Sequence, residues 1–398
     1  MKFSVLLPTR NRLNLLACAI ETVRRQDYSD WEVIVSDNFS EEDIAGYVCA
    51  LNDPRVKYFR TDEFVPVTDN WNNALDKSDG DYVVMLGDDD CLMQGYFSTL
   101  NKAIEEYDAP DLIYTSAFLY SYPGVMPDYP AGFLRSYTSR EIFRSAHNPF
   151  FLGKVESVAL VSHSVNFKVR FDYNMQFSLV SRKLIREMKK YGSFYQSLYP
   201  DYYATNAMML KAERILIVPQ PLVTVGISPK SFGFYYFNDL ETKGNEFLRN
   251  LPSSDMAHRL RQVMLPGTYM NTSWLVSMET LTNNFGVESN ISVNYDRYRL
   301  LQICAVFARL ILGKCDAQST ILDLRNSMTI RERVFYDVPL SMVWTISLAL
   351  PRRYRAFLAK QVVSITGSHA KLHSPKIEGK YGTILEVFEQ VTPVLVKK

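Results

Sequence analysis

Cysteine is scarce in this chain. Its five residues, Cys18, Cys49, Cys91, Cys304 and Cys315, are odd in number, scattered, and without a CxxC pair among 398 residues. That excludes a disulfide framework and a cysteine-rich zinc site, and it suits a reducing compartment. Long hydrophobic runs are missing too. Val338–Leu350 is uncharged but stops at Pro351-Arg352-Arg353, short of the roughly 20 apolar residues a spanning helix needs. No basic segment followed by an apolar stretch opens the sequence, so no signal peptide is expected. An excess of one charge is also absent: 44 Lys/Arg face 43 Asp/Glu, for a net charge of +1. This removes the whole-molecule field expected of a nucleic-acid binder. Histidine is rare, with five residues, and His163 stands alone in an irregular stretch.

Several phosphate-binding and hydrolytic signatures are missing as well. No GxGxxG follows the first strand and no GxxxxGK[ST] occurs, which excludes a dinucleotide-binding dehydrogenase and a P-loop enzyme. No G-x-S-x-G elbow marks a hydrolase.

What remains is an ordinary globular composition, 47% hydrophobic and 22% charged, with a length that suits two domains. The 25 Tyr and 23 Phe exceed a minimal core; core and surface packing is the expected use, and a groove for a sugar or lipid is the alternative. Charge is uneven along the chain: Pro351 to Lys398 holds nine Lys/Arg against three Asp/Glu. A basic end of this kind suits either an anionic membrane surface or a solvated helix face. The expectation is a cytoplasmic protein, peripheral at the inner face of the cell membrane at most.

The first third alternates strands and helices. Apolar runs at Phe3–Leu7, Trp31–Val35, Val56–Phe59 and Tyr82–Leu86 read as buried strands. Between them, Leu13, Leu16, Ala17, Ile20 and Val23 fall at helical spacing, and Ser40 with Asp43 forms a capping-box pattern. Asn70–Lys77 and Phe97–Tyr107 also read as helices, with another strand near Leu112–Tyr114. The stretch from Gly124 to Lys168 is irregular. Regularity returns as a strand at Gln176–Ser181, helices at 182–191 and 201–212, and a strand at 214–218. The pattern predicts an α/β fold with a mostly parallel sheet covered on both faces. Residues 1–235 form this domain, and 236–398 a mainly α-helical C-terminal domain. In such sheets ligands bind beyond the carboxyl ends of the strands, which singles out three polar loops: Thr9–Arg12, Ser36–Asn38 and Gly87–Asp90.

The Gly87-Asp88-Asp89-Asp90 run, directly after an apolar strand, carries the strongest chemistry. Three adjacent carboxylates repel one another unless a cation compensates. Hard oxygen ligands of this type suit Mg²⁺ or Mn²⁺, which typically take one or two carboxylates plus substrate phosphates. A solvated turn is the alternative for an isolated Asp triplet.

Taken together, Pro8-Thr9-Arg10-Asn11-Arg12, Asp37, Asn72-Asn73-Ala74-Leu75, Gly80-Asp81-Tyr82 and the Asp run resemble the family 2 glycosyltransferases of the GT-A fold, over roughly residues 1–235. The resemblance implies that Thr9 and Asp37 hold the nucleotide base, with Pro8 and Arg10 shaping that loop. Asn72 lies near the donor. Asp88, Asp89 and Asp90 correspond to the DXD motif that contacts the ribose and an Mn²⁺ or Mg²⁺ ion. Which two serve is open, and Asp90 or Asp89 is the expected metal ligand. Asp201, in Tyr199-Pro200-Asp201-Tyr202-Tyr203, matches the catalytic base, although Asp after Pro at a helix start also suits an N-cap. Such a base implies inversion at the anomeric carbon. The implied donor is a nucleotide-sugar, a UDP-sugar being expected. The implied acceptor is a glycan or lipid-linked glycan, as in surface polysaccharide biosynthesis.

Three departures stand out. Gly87 replaces a frequent acidic residue, Trp71 replaces a frequent Arg, and Val225-Gly226-Ile227-Ser228 lacks the metal-binding His of many relatives. They leave room for a second reading: a non-catalytic nucleotide-sugar-binding or scaffold subunit of a polysaccharide assembly complex. A sugar-phosphate nucleotidyltransferase is disfavoured, because Pro-Thr-Arg-Asn-Arg stands where its Gly-rich loop belongs.

Overall fold

The computed structural model describes residues 1–136, 141–231, 258, 260–367, 376–377 and 379–393. Two compact units emerge: Met1–Val161 with Phe171–Asn250 and Leu372–Lys398, and Ser162–Arg170 with Leu251–Lys371. The expected domain boundary at 235/236 lies outside the described residues. The end of the chain departs from the expected division, because it returns to the first unit instead of completing a C-terminal domain.

In the first unit, β1 (Phe3–Thr9), β2 (Trp31–Asp37), β3 (Val56–Arg60) and β4 (Tyr82–Met85) pair in parallel in the order β3-β2-β1-β4. Phe3, Val5, Leu6 and Leu7 are all buried, as expected of a strand with helices on both faces. Helix α1 (Leu13–Arg24) buries Leu16, Ile20 and Val23, three of the periodic positions read from the sequence, and Ala19, while Leu13 and Ala17 are half-buried. In α2 (Ile44–Ala50) the cap is Asp43, which accepts from Gly46 N–H at 2.8 Å. Ser40 takes no part in that cap, because its hydroxyl accepts from Asn11 N–H at 2.9 Å and so ties the loop after β2 to the loop after β1.

Beyond β4 the sheet is mixed, which corrects the mostly parallel expectation. The short β5 (Cys91–Leu92) is followed by β6 (Leu112–Ser121), which pairs antiparallel with β7 (Phe133–Ser136); after β8 (Phe150–Leu152), β9 (Ser178–Ser181) runs antiparallel to both β6 and β4. Strand β10 (Ile215–Ile227) lies parallel to β6 and extends nine residues past the predicted end at Val218. Register shifts at Pro221 allow it to continue, since proline cannot donate to the ladder. The irregular stretch contains a helix missed from the sequence, Lys154–Val165. At the end of the chain, Ile384–Gln390 is helical, and its Ile384, Val387 and Phe388 join a core with Phe118, Tyr120 and Leu134.

The second unit is helical among its described residues. Its centre is Tyr295–Ile311, whose Ile303, Phe307 and Ile311 pack with Leu324, Leu340, Ala359 and Val362. No helix of the described residues is long and apolar enough to cross a membrane.

Candidate active site

The carboxyl ends of β1, β2 and β4 meet at one edge of the parallel strands, with Thr9 level with Asp37 and the Asp run following β4. All three carboxylates of the run are buried, yet each has a different environment. Asp88 is engaged at both oxygens: Oδ2 accepts from Thr9 Oγ1 at 2.8 Å and Oδ1 from Arg12 Nη1 at 2.9 Å. Asp90 anchors backbone. Its Oδ2 accepts from Gly87 N–H at 2.9 Å and from Gln176 Nε2, and its Oδ1 from Gly226 N–H at 2.8 Å. Burial and the neighbouring Asp89 push the Asp90 carboxyl up to about 8, against the pull of those donors. Asp89 stands between them with its Oδ2 buried and without a hydrogen-bond partner. Burial raises its pKa, the Asp88 charge adds to the rise, and Arg12 and Ser228 oppose it.

The two glycines noted as departures have a steric reason. A Cβ on Gly87 would overlap Asp90 Oδ2, and one on Gly226 would overlap the Asp89 carbonyl oxygen. The tip of β10 is therefore pressed against the Asp loop by direct backbone contact, a position no side chain can occupy.

Around the other two loops, Asp37 is fully buried. It accepts from Ser40 N–H at 2.9 Å and from the Tyr58 hydroxyl at 2.7 Å, with Arg60 at 3.8 Å. Burial, then the hydrogen bond to Asp37 and its charge, pushes the Tyr58 hydroxyl up to about 12. Pro8 lies level with Ser36, and Thr9 C=O accepts from Asn38 N–H at 2.9 Å. The Arg10 guanidinium stacks on Phe64 at 3.7 Å, with Nη1 buried and without a hydrogen-bond partner.

Asn72 is committed to backbone. Its Nδ2 donates to Tyr195 C=O at 2.9 Å and to Thr68 C=O at 3.0 Å, while Oδ1 accepts from Tyr195 N–H at 3.1 Å. Trp71 packs edge-on to the Tyr195 ring at 5.3 Å, and Thr68 Oγ1 donates to Ser197 C=O at 2.7 Å. All three lie on α3 (Val67–Asp76), which thus holds the segment leading into the helix Pro200–Lys211.

Asp201 is the second residue of that helix. The cap position is Tyr199, so the N-cap alternative is not realised. The Asp201 Oδ1 accepts from Tyr202 N–H at 2.9 Å. Burial raises its pKa to about 7. One turn along, Thr205 Oγ1 donates to Tyr173 C=O at 2.8 Å, and positions four apart share a helix face. Residues 173–176 therefore touch the Asp201 helix through Tyr173 and Asp90 through Gln176.

Gln176, Gly226, Ser228 and Lys230 were not predicted as site residues. Lys230 Nζ donates to Asn11 C=O, and Arg12 donates to Lys230 C=O, so the segment after β10 closes on the loop after β1. Gln176 carried no signal beyond opening a strand, and its partner Asp90 lies 86 positions away.

Among the described residues no three His, Cys, Asp or Glu side chains form a ready-made metal cluster. The donor chemistry nonetheless fits a divalent ion held by one carboxylate. Asp89 Oδ2 is a hard oxygen without a partner, and Mg²⁺ or Mn²⁺ takes its remaining ligands from phosphates and water.

These features define a GT-A-like architecture: a mixed sheet flanked by helices, with an acidic loop at the end of β4. Residues 4–154 of the chain match the model of Glycosyl transferase family 2. Over 110 residues it is 44% identical to the GalNAc(5)-diNAcBac-PP-undecaprenol beta-1,3-glucosyltransferase of Campylobacter jejuni, covering 27% of this chain and 36% of that one. The glycosyl transferase WcaA of Escherichia coli K12, provisionally assigned to colanic acid biosynthesis, is 33% identical over 147 residues, or 35% of this chain and 51% of that one. WfgD of Escherichia coli, a UDP-Glc:alpha-D-GlcNAc-diphosphoundecaprenol beta-1,3-glucosyltransferase, is 26% identical over 87 residues, 22% of this chain and 34% of that one. The chain thus spans between about a third and a half of the length of these relatives.

Proposed function

We propose that this chain is an inverting glycosyltransferase that moves a sugar from a nucleotide-sugar, a UDP-sugar first among them, to a glycan or lipid-linked acceptor in surface polysaccharide biosynthesis. The observation that carries the reading is Asp89: a buried carboxylate oxygen without a partner, between two aspartates whose oxygens are already engaged. Support for the donor and acceptor classes comes from the names of the relatives, two of which act on undecaprenyl diphosphate-linked glycans.

When bound at Asp89, Mn²⁺ or Mg²⁺ would neutralise charge on the departing diphosphate. Thr9 and Arg12 hold Asp88 in place, and Gln176, Gly87 and Gly226 hold Asp90, so the loop is set before substrate arrives. Asp201 takes the proton of the acceptor hydroxyl. The hydroxyl oxygen bonds to the anomeric carbon, the bond from that carbon to the diphosphate oxygen breaks, and configuration inverts. A pKa of about 7 matches a base working near neutrality.

The test is a panel of nucleotide-sugars incubated with purified full chain, with and without Mn²⁺, reading nucleoside diphosphate release and metal-dependent thermal stabilisation by UDP. Asp89→Asn should abolish the metal dependence of both. Absence of release from every donor, together with UDP binding indifferent to metal, would overturn the reading.

A further inference from the structure

The second unit carries an apolar surface that its own core leaves uncovered. A helical turn at Ile330–Glu332 passes through a π-helical turn at Arg333–Asp337 into the helix Val338–Leu348, and Arg352–Ser364 follows. The wide turn falls just before Pro339, whose ring cannot sit against the carbonyl four residues back. Leu340, Val343 and Trp344 face the core. On the other side Phe335 is 66% exposed, Met342 61% and Ile346 63%, with Val334 and Val338 also exposed. From Val338 to Pro351 no residue is charged. The outward stripe is therefore apolar for nearly four turns, where a solvated helix would place charge.

Charge settles the occupant. Between Thr329 and Gly367 the chain has six Lys/Arg and two Asp/Glu. Both acids are neutralised, Glu332 by Arg299 and Asp337 by Arg325. Arg331, Arg352, Arg353 and Lys360 are exposed, and none is ion-paired among the described residues. On Arg352–Ser364, Tyr354 and Phe357 are exposed beside them. A second copy of the chain would bring like charges together, whereas an anionic lipid surface satisfies both the stripe and its basic rim.

We propose that this face, from Val334 to Ile346 with the basic residues of Arg352–Ser364, docks the protein on an anionic bilayer surface as an in-plane amphipathic element. The assay is co-sedimentation of the full chain with phosphatidylcholine vesicles, with and without about 30% phosphatidylglycerol, at low salt. The chain should bind the anionic vesicles at least ~10-fold better than the neutral ones. The triple variant F335S/M342S/I346S should lose roughly tenfold or more of that binding. A second variant, R352E/R353E, should lose the anionic preference with its melting temperature unchanged, since glutamate is favourable at a helix N-terminus. Failure to bind anionic vesicles at low salt would overturn the proposal. So would binding unaltered in both variants, or a lipid-free dimer that F335S/M342S/I346S converts to monomer. None of these readouts involves transfer activity, so the proposal stands or falls apart from the catalytic reading.

Discussion

Replacing Asp201 with asparagine keeps the side chain's shape and the Oδ1 that accepts from Tyr202 N–H at 2.9 Å, while removing the ability to take a proton. Two independent quantities should move. Transfer activity should fall by roughly 10²–10⁴-fold, the usual worth of a positioned general base. Stability should move the other way. Burial raises the carboxyl from its ordinary value of 3.8 to about 7, so between those values the folded protein holds a proton that the unfolded chain has lost. Stability in the wild type therefore declines as pH rises through this window. At ~1.4 kcal/mol per pH unit the total approaches roughly 4 kcal/mol, of which about 3 kcal/mol falls between pH ~5 and pH ~8. Urea unfolding of wild type and Asp201→Asn across that range should give curves that diverge with rising pH, the variant being more stable at the alkaline end. In the wild type, kcat/KM should rise about tenfold per pH unit up to about 7 and then level. An active variant would refute the assignment of the base. Parallel stability curves would refute the burial argument, whatever the activity.

Two other perturbations probe the frame around the site. Gly226→Ala places a methyl group against the Asp89 carbonyl and should cost about 1–3 kcal/mol of overpacking, together with most of the activity; an unchanged urea midpoint would show that the β10 tip is not pressed on the Asp loop. Glu32, buried in β2, is pushed up by burial but pulled further down by Asp79 N–H, Lys57 and Ser4, to about 2. Its contribution is present above about 4.5 and lost as pH falls towards 2. Glu32→Gln should lower stability at neutral pH by about 3 kcal/mol and flatten the acid limb of the unfolding curve, and an acid limb identical to wild type would count against that network.

Much of the first unit was legible because its signal is local. Buried parallel strands are near-continuously apolar, so β1 to β4, broken at single positions such as Ser4, Glu32 and Lys57, and the loops after them could be read directly. Antiparallel pairing of β9 with β4 and β6 could not, since a four-residue strand, Ser178–Ser181, carries no mark of direction. Lys154–Val165 was lost because its helical face is weakly segregated and its surroundings are rich in proline and aromatics. At the site, Thr9, Asp37 and the Asp run were visible as polar residues at strand ends. What each carboxylate does was not, because the groups that decide it, Arg12, Gln176 and Gly226, lie 76, 86 and 136 positions from their partners.

The same long-range contacts explain the two motif departures that fall beside the Asp run. Three neighbouring carboxylates can be buried together only if their charges are dealt with separately. Asp88 is met by a guanidinium and a hydroxyl, and Asp90 by two backbone N–H groups and an amide. Backbone donors reach Asp90 only where no Cβ intervenes, which requires glycine at both 87 and 226. A side chain at 87 would overlap Asp90 Oδ2 and one at 226 the Asp89 carbonyl, driving the loop off β10 and carrying those backbone donors out of reach. Glycine at these positions is therefore part of how the loop is built around Asp89, and its presence is no sign of a decayed site.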